Sequence, residues 1–259
     1  MADLSGEEFQ KLCDIVAKLR APGGCPWDRE QTNESLLPPL IEEVYEVAGA
    51  LRAGDDVNFR EELGDLLLLI VMHAEIAAEQ NRFKIDNVIR EAAEKLVRRH
   101  PHVFGESNAK TSGAVVKQWE AIKREEKKGD QHYLASLPDA LPALMRAEKA
   151  QKKVARVNFD WDNIDDVLAK VDEELGETKA AIQSQDRQSI EDEIGDLLFA
   201  VVNLARKSGI DAESALQKAT DKFRARFNQL EDELIKRGRK LGDVDLAELD
   251  GIWNEIKRR

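Results

Sequence analysis

Apolar residues recur every three to four positions along most of this chain. Ile164, Val167, Leu168, Val171, Leu175, Thr178 and Ile182 form one such stripe, and Ile190, Ile194, Leu197, Leu198 and Val201 form the next. A helix advances about 100° per residue, so these spacings put each set on one face. No stretch shows the period of two that a half-buried strand requires. The same reading predicts helices over residues 7 to 20, from Glu34 or Ser35 through LIEEVYEVAGAL, from Val57 to Glu79, from Asp86 to Arg99 and from Val115 to Glu126. In the second half it adds ALMRAEKAQKKVARV, Asp211 to Arg237 and Asp245 to Lys257. The breaks carry turn chemistry. Ala21-Pro22-Gly23-Gly24 ends the first helix and Cys25-Pro26-Trp27-Asp28 reads as a loop; Ser184-Gln185-Asp186 is a short turn between antiparallel neighbours. Asp211 is an N-cap, with Gly238 just past that helix's end. Leu66 to Met72 and Leu197 to Val202 are apolar nearly all round, which predicts burial on more than one side. Gly64 and Gly195 sit inside helices, where glycine costs about 1 kcal/mol relative to alanine. Each therefore implies either tight helix packing or close approach of a ligand.

The pattern begins again after a mixed-charge run and the stretch KKGDQHYLASLPDALP, which places a domain boundary near residue 130, giving units 1–130 and 131–259. EEVYE is answered by EELGE, and REELGD by EDEIGD; Glu43, Glu46, Glu62 and Asp65 each recur 131 positions later as Glu174, Glu177, Glu193 and Asp196. Cys25-Pro26-Trp27-Asp28 is answered by Phe159-Asp160-Trp161-Asp162. Lys95/Arg99 and Lys222/Arg226 keep one spacing, as do Trp119/Lys123 and Trp253/Lys257. Identity and order together make this an internal duplication.

Composition narrows the class. Charged residues make up 35% of the 259 and aromatics 5%, which fits a soluble helical protein with a real core. A net charge of −12 argues against nucleic acid as the main partner. Cys13 and Cys25 stand without a CxxC or Cys/His cluster, so they read as free thiols in a reducing cytosol. The opening MADLSGEEFQ lacks an apolar signal core, and the longest apolar run, Leu66 to Met72, is far too short to span a membrane.

The chemistry lies in the acidic pairs. Glu174 and Glu177 share one helix flank, Glu193 and Asp196 the same flank of the next, and antiparallel packing brings all four to one seam. Carboxylates so close cannot all stay ionised without a cation among them, and an oxygen-only set suits Mg²⁺ or Mn²⁺. Lys170 lies one turn before Glu174, and Lys222, Arg226 and Lys257 complete a basic set that suits a metal–polyphosphate complex. Two other readings fit the same residues. A di-iron bundle would need Glu-x-x-His, which no histidine here completes. A helical interaction module would carry the acids only for solubility.

EEVYE…EELGD and EELGE…DEIGD resemble the EExxE…ExxD signature of the MazG nucleoside triphosphate pyrophosphohydrolases, within the all-α NTP pyrophosphatase superfamily. RRHPHVFG, CPWD and the final Trp-x-x-x-Lys resemble that family too. The resemblance implies an all-α homodimer of two tandem helical bundle domains per chain. It implies Mg²⁺-dependent hydrolysis of nucleoside triphosphates to monophosphate and pyrophosphate, with broad base specificity and a house-cleaning or stress role in the cytoplasm. It implies metal ligation by Glu174, Glu177, Glu193 and Asp196, and nucleotide contacts at Lys170, Glu173, Glu174, Lys222, Arg226, Trp253 and Lys257. It makes the second half catalytic and the first structural or weakly active, with Glu43, Glu46, Glu62 and Asp65 as a second metal quartet. Pro39 stands where the second half has Lys170, and Ser189 stands where some relatives carry a basic residue.

Overall fold

The computed structural model describes residues 2–126 and 132–258, which fold into helices and turns with no strand among the described residues. The chain divides into two compact units, Met1–Lys128 and Gly129–Arg259. The boundary expected near residue 130 lies outside the described residues.

The first unit holds α1 (Ala2–Arg20), α2 (Pro26–Glu30), α3 (Leu37–Ala53), α4 (Asp56–Glu79), α5 (Ile85–Arg99), α6 (Pro101–Phe104) and α7 (Ser112–Glu126). The second holds α8 (Ala143–Ala155), α9 (Ile164–Ser184), α10 (Arg187–Lys207), α11 (Ala212–Lys236) and α12 (Leu246–Arg258). The pairings repeat: α3 packs along α4 as α9 does along α10, α1 lies on α4 as α8 does on α10, and α7 meets α5 as α12 meets α11.

Two local expectations are corrected. Cys25-Pro26-Trp27-Asp28 is not a loop, because Pro26 opens α2. Proline suits a first helical turn, where its missing N–H has no acceptor to lose. α3 begins at Leu37, not at Glu34 or Ser35. Thr32 and Ser35 close the preceding turn on themselves, each backbone N–H donating to the other's hydroxyl at 2.9 and 3.1 Å. The counterpart of α2 in the second unit, Phe159 to Asp162, is a non-helical bend. Arg206 of α10 binds both carboxylate oxygens of Asp160, and Lys207 Nζ donates to the Trp161 carbonyl at 2.6 Å.

The α9–α10 turn forms as its sequence implies. Gln185 takes the left-handed conformation at φ 59°, and Asp186 caps α10 by accepting from Gln188 N. The first unit's core gathers Val16, Leu36, Val71, Met72 and Ile76, and the second packs Leu230, Leu234, Ile252 and Ile256 between α11 and α12. The two all-apolar segments bury only one side within their own unit. Val71 and Val202 are buried, whereas Leu67, Ile70, Leu198 and Val201 stay exposed. Nor are Gly64 and Gly195 tightly packed: a Cβ at either would meet nothing within 4 Å. No helix among the described residues is long and apolar enough to cross a membrane.

Candidate metal centre

The seam between α9 and α10 carries the acidic pairs of the second unit. Thr178 sets its register. Its buried hydroxyl donates to the Glu174 carbonyl one turn back at 2.7 Å, and its oxygen lies 3.3 Å from the Glu193 carbonyl across the seam. The single hydroxyl proton can serve either carbonyl, so Thr178 marks where a turn of α9 meets a turn of α10. One carboxylate oxygen each from Glu174, Glu177 and Glu193 then falls within 4.8 Å of the others. Asp196 stands beside this trio, walling the same cavity as Glu174. The Glu193 carboxyl is pushed above its ordinary range, first by loss of water at the seam, then by the charges of Glu177, Glu174, Asp196 and Asp192.

Lys170 answers that charge from one turn before Glu174. Its Nζ lies 2.6 Å from Glu174 Oε1 and 2.9 Å from Glu173 Oε1, and these hydrogen bonds, Glu173's first, hold the ammonium protonated well above its usual range. Glu174 is itself only 6% exposed, whereas Lys170 is about a third exposed, so the pair runs from the buried root of the site toward solvent.

The first unit repeats the arrangement without the ammonium. Oxygens of Glu43, Glu62 and Asp65 lie within 4.8 Å of one another. Glu46 stands outside that trio but raises the carboxyls of both Glu43 and Glu62 by its charge, after lost hydration. Pro39 leaves the place of Lys170 without a cation, and one oxygen of Glu43 is buried with no hydrogen-bond partner.

The remaining basic and aromatic residues gather on α11 and α12. The Trp253 ring lies 5.2 Å from that of Phe223, and Lys257 Nζ sits 5.7 Å from the Trp253 centroid. Lys222 is exposed and Arg226 half-buried. Among the described residues, no hydrogen bond or ion pair ties Lys222, Arg226 or Lys257 to the carboxylates. In the first unit the equivalent tryptophan, Trp119, is flanked by Arg99 at 5.0 Å and Lys123 at 4.8 Å. There Arg99 and Arg98 also grip Glu126, whose carboxyl falls to about 2. Ser189 is engaged in capping, donating to Asp186 at 2.6 Å.

Three residues that periodicity did not single out shape the site. Thr178 lies within the apolar stripe of α9, where spacing alone shows no polar role. Trp161 and Asn203 wall a cavity of about 260 Å³ that opens from Lys170, Glu174 and Asp196 and is completed by Val167, Phe199 and Ala200. The one available signal was Asn203 itself, a polar residue closing the apolar run from Leu197 to Val202.

Comparison with known proteins agrees with the duplication. The MazG nucleotide pyrophosphohydrolase domain matches twice, at residues 31–104 and 163–230. The chain is 44% identical over 257 residues to the nucleoside triphosphate pyrophosphohydrolase of Escherichia coli (strain K12), covering 97% of this chain and 98% of that protein. It is 46% identical over 254 residues to the nucleoside triphosphate pyrophosphohydrolase/pyrophosphatase MazG of Thermotoga maritima, covering 98% and 97%. The uncharacterized protein YabN of Bacillus subtilis is 42% identical over 252 residues, 96% of this chain but 52% of that protein.

Proposed function

The chain belongs to the MazG nucleotide pyrophosphohydrolase family, and from that premise we propose that it hydrolyses nucleoside triphosphates to the monophosphate and pyrophosphate, with its active centre in the second unit. The observation that carries this assignment is the convergence of Glu174, Glu177 and Glu193, with Lys170 paired to the buried Glu174. The first unit has the acids but not the lysine.

The donor set fits a hard divalent cation. All its groups are oxygens, they lie close enough to share one ion, and the Glu193 carboxyl is raised first by lost hydration and then by the neighbouring charges. Glu174, Glu177 and Glu193, joined by Asp196, would hold Mg²⁺, with Mn²⁺ as the alternative. Bound there, the ion supplies charge neutralisation for the phosphates and acidity for a water near the α-phosphorus. The chain's own part is electrostatic. Lys170 pairs with Glu174 and places an ammonium beside the phosphate path, and Lys222 and Arg226 offset charge on the leaving pyrophosphate. Glu173 shares Lys170 and orients it. Trp253 and Lys257 form a stacked pair on α12 that lies along the nucleotide. Glu43, Glu46, Glu62 and Asp65 form a second, weaker cation site in a structural or weakly active first domain, residues 1–130, beside a catalytic domain, 131–259.

Broad base specificity and a house-cleaning role in the cytoplasm accompany this reading. So does a homodimer. Leu168, Leu175, Ile182, Ile194, Leu198 and Val201 leave an apolar stripe uncovered on α9 and α10, and exposed contiguous stripes of this kind are normally covered by a partner. Light scattering coupled to size exclusion should return twice the chain mass of 29.2 kDa.

Product identity tests the activity. With Mg²⁺ and a panel of ribo- and deoxyribonucleoside triphosphates, anion exchange should resolve monophosphate and pyrophosphate. Glu174→Gln should abolish both and Glu43→Gln should retain them. Diphosphate plus phosphate, or no reaction, would refute the assignment.

A further inference from the structure

The duplication gives each unit a basic set beside a tryptophan, and the two sets are engaged differently. In the second unit no hydrogen bond or ion pair holds Lys222, Arg226 or Lys257 among the described residues. In the first unit Arg99, which follows Lys95 as Arg226 follows Lys222, already grips an anion supplied by the chain itself. Arg99 Nε donates to one carboxylate oxygen of Glu126 at 3.0 Å, with Nη2 on the same oxygen, and Arg98 Nε donates to the other at 2.6 Å. Glu126 is the last residue of α7. Its side chain is only 20% exposed and that of Arg99 15%, so the carboxylate is drawn in between two guanidinium groups. Arg98 is peculiar to this unit: the register that matches Arg99 to Arg226 matches Arg98 to Ala225.

The cluster holds more positive charge than Glu126 answers. Arg98 and Arg99 share one carboxylate, and Lys123 adds a third cation through the Trp119 ring, its Nζ 4.8 Å from the centroid where the Arg99 guanidinium lies at 5.0 Å. Among the described residues Arg98 donates only from Nε, Arg99 leaves Nη1 without an acceptor, and Lys123 makes no ion pair. Arg20 in the same unit shows the contrasting case of a structural arginine. It is 9% exposed, pairs with one acid, Glu79, and places Nη1 on the carbonyls of Asp28 and Gln31. A single carboxylate has too few oxygens and too little charge to satisfy the donors around Glu126. A phosphate group, tetrahedral and more highly charged, has enough of both.

We propose that the Arg98–Arg99–Lys123 cluster of the first unit is a polyphosphate-binding site held closed by Glu126, whose carboxylate occupies the place of a phosphate group. Its ligand is a pyrophosphate group, free or as the tail of a nucleotide. Trp119 already carries Arg99 and Lys123, so the ring positions the cations and a nucleoside adds no contact. The site uses α5 and α7 and none of the acidic quartet, so it needs no metal. Binding there is independent of the turnover proposed for the second unit.

The test is calorimetric titration of the full chain with sodium pyrophosphate in the presence of a chelator, which silences metal-dependent sites. Wild type is compared with Glu126→Gln and with the double variant Arg98→Gln/Glu126→Gln, each checked for folding by its melting curve. Glu126→Gln should bind pyrophosphate about tenfold or more tightly than wild type, because the competing carboxylate is gone. The double variant should lose that gain. Equal or weaker binding by Glu126→Gln, or a gain that survives in the double variant, overturns the proposal. If Glu126→Gln does not fold, Lys123→Gln decides, since it removes a cation that does not hold Glu126: weaker pyrophosphate binding than wild type supports the site, and unchanged affinity overturns it. A non-hydrolysable nucleoside triphosphate titrated in parallel should show the same gain as pyrophosphate, and a gain confined to the nucleotide overturns recognition by the phosphates alone. Failure of wild type to release pyrophosphate from nucleoside triphosphates would sink the enzymatic reading and leave these titrations as they stand.

Discussion

Glu193 sits where its own charge is disfavoured, and that makes the trio a stability liability as well as a candidate cation site. Glu193→Gln removes one repelling charge from the seam without changing shape. The variant should therefore melt above wild type in metal-free buffer, fail to gain from added Mg²⁺, and turn over at least about a hundredfold more slowly. A variant that melts below wild type without metal would contradict the repulsion argument. Glu126 presents the opposite case, its carboxyl lowered from 4.5 to about 2 by hydrogen bonds from Arg99 and then Arg98. A depressed carboxylate stabilises the folded state above its unfolded pKa and loses that contribution as pH falls through the folded one. The gap in melting temperature between wild type and Glu126→Gln should thus be full above about pH 4.5 and close as pH approaches 2. At this scale the sequence was a good guide to charge. Lys170 reaches Glu174 as its i,i+4 spacing requires. It was a poor guide to uncharged groups, because the roles of Thr178 and Asn203 lie in partners that spacing does not show, the Glu174 and Glu193 carbonyls for one and Arg206 for the other.

Between helices, the seam depends on one hydroxyl. Thr178→Val keeps the shape and deletes the donor, which should destabilise the protein by about 1 kcal/mol in denaturant titrations. It should also lower affinity for Mg²⁺, since the turns bearing Glu174 and Glu193 lose the group that shares them. Thr178→Ser should restore both. Helix positions were legible from periodicity and caps: Asp211 caps α11 where the sequence implied, and Asp186, read only as part of a turn, caps α10 as well. The departures have local causes. Pro26 turned an apparent loop into α2, and the reciprocal Thr32–Ser35 turn delayed α3. Phe159 to Asp162 and its counterpart in the first unit share a Trp-Asp pair but not a conformation. Arg206 and Lys207 tie down the one, and their counterparts by offset are Glu75 and Ile76, an acid and an apolar residue that cannot do so.

Across the whole chain, the constant offset of 131 made the duplication readable before any coordinates, and the helix pairings repeat accordingly. What periodicity could not convey is which apolar faces find cover. A stripe of Ile194, Leu198 and Val201 has the same spacing whether a helix of its own unit lies on it or nothing does, and here nothing does. Leaving those side chains in water forgoes part of the hydrophobic contribution that holds other helices down. If a second copy supplies the cover, folding and association become one equilibrium, and the strength of the fold depends on how much protein is present. Each tenfold dilution would then remove about 1.4 kcal/mol from the assembled state. Thermal unfolding should accordingly move to lower temperature as the solution is thinned, at fixed pH, salt and metal.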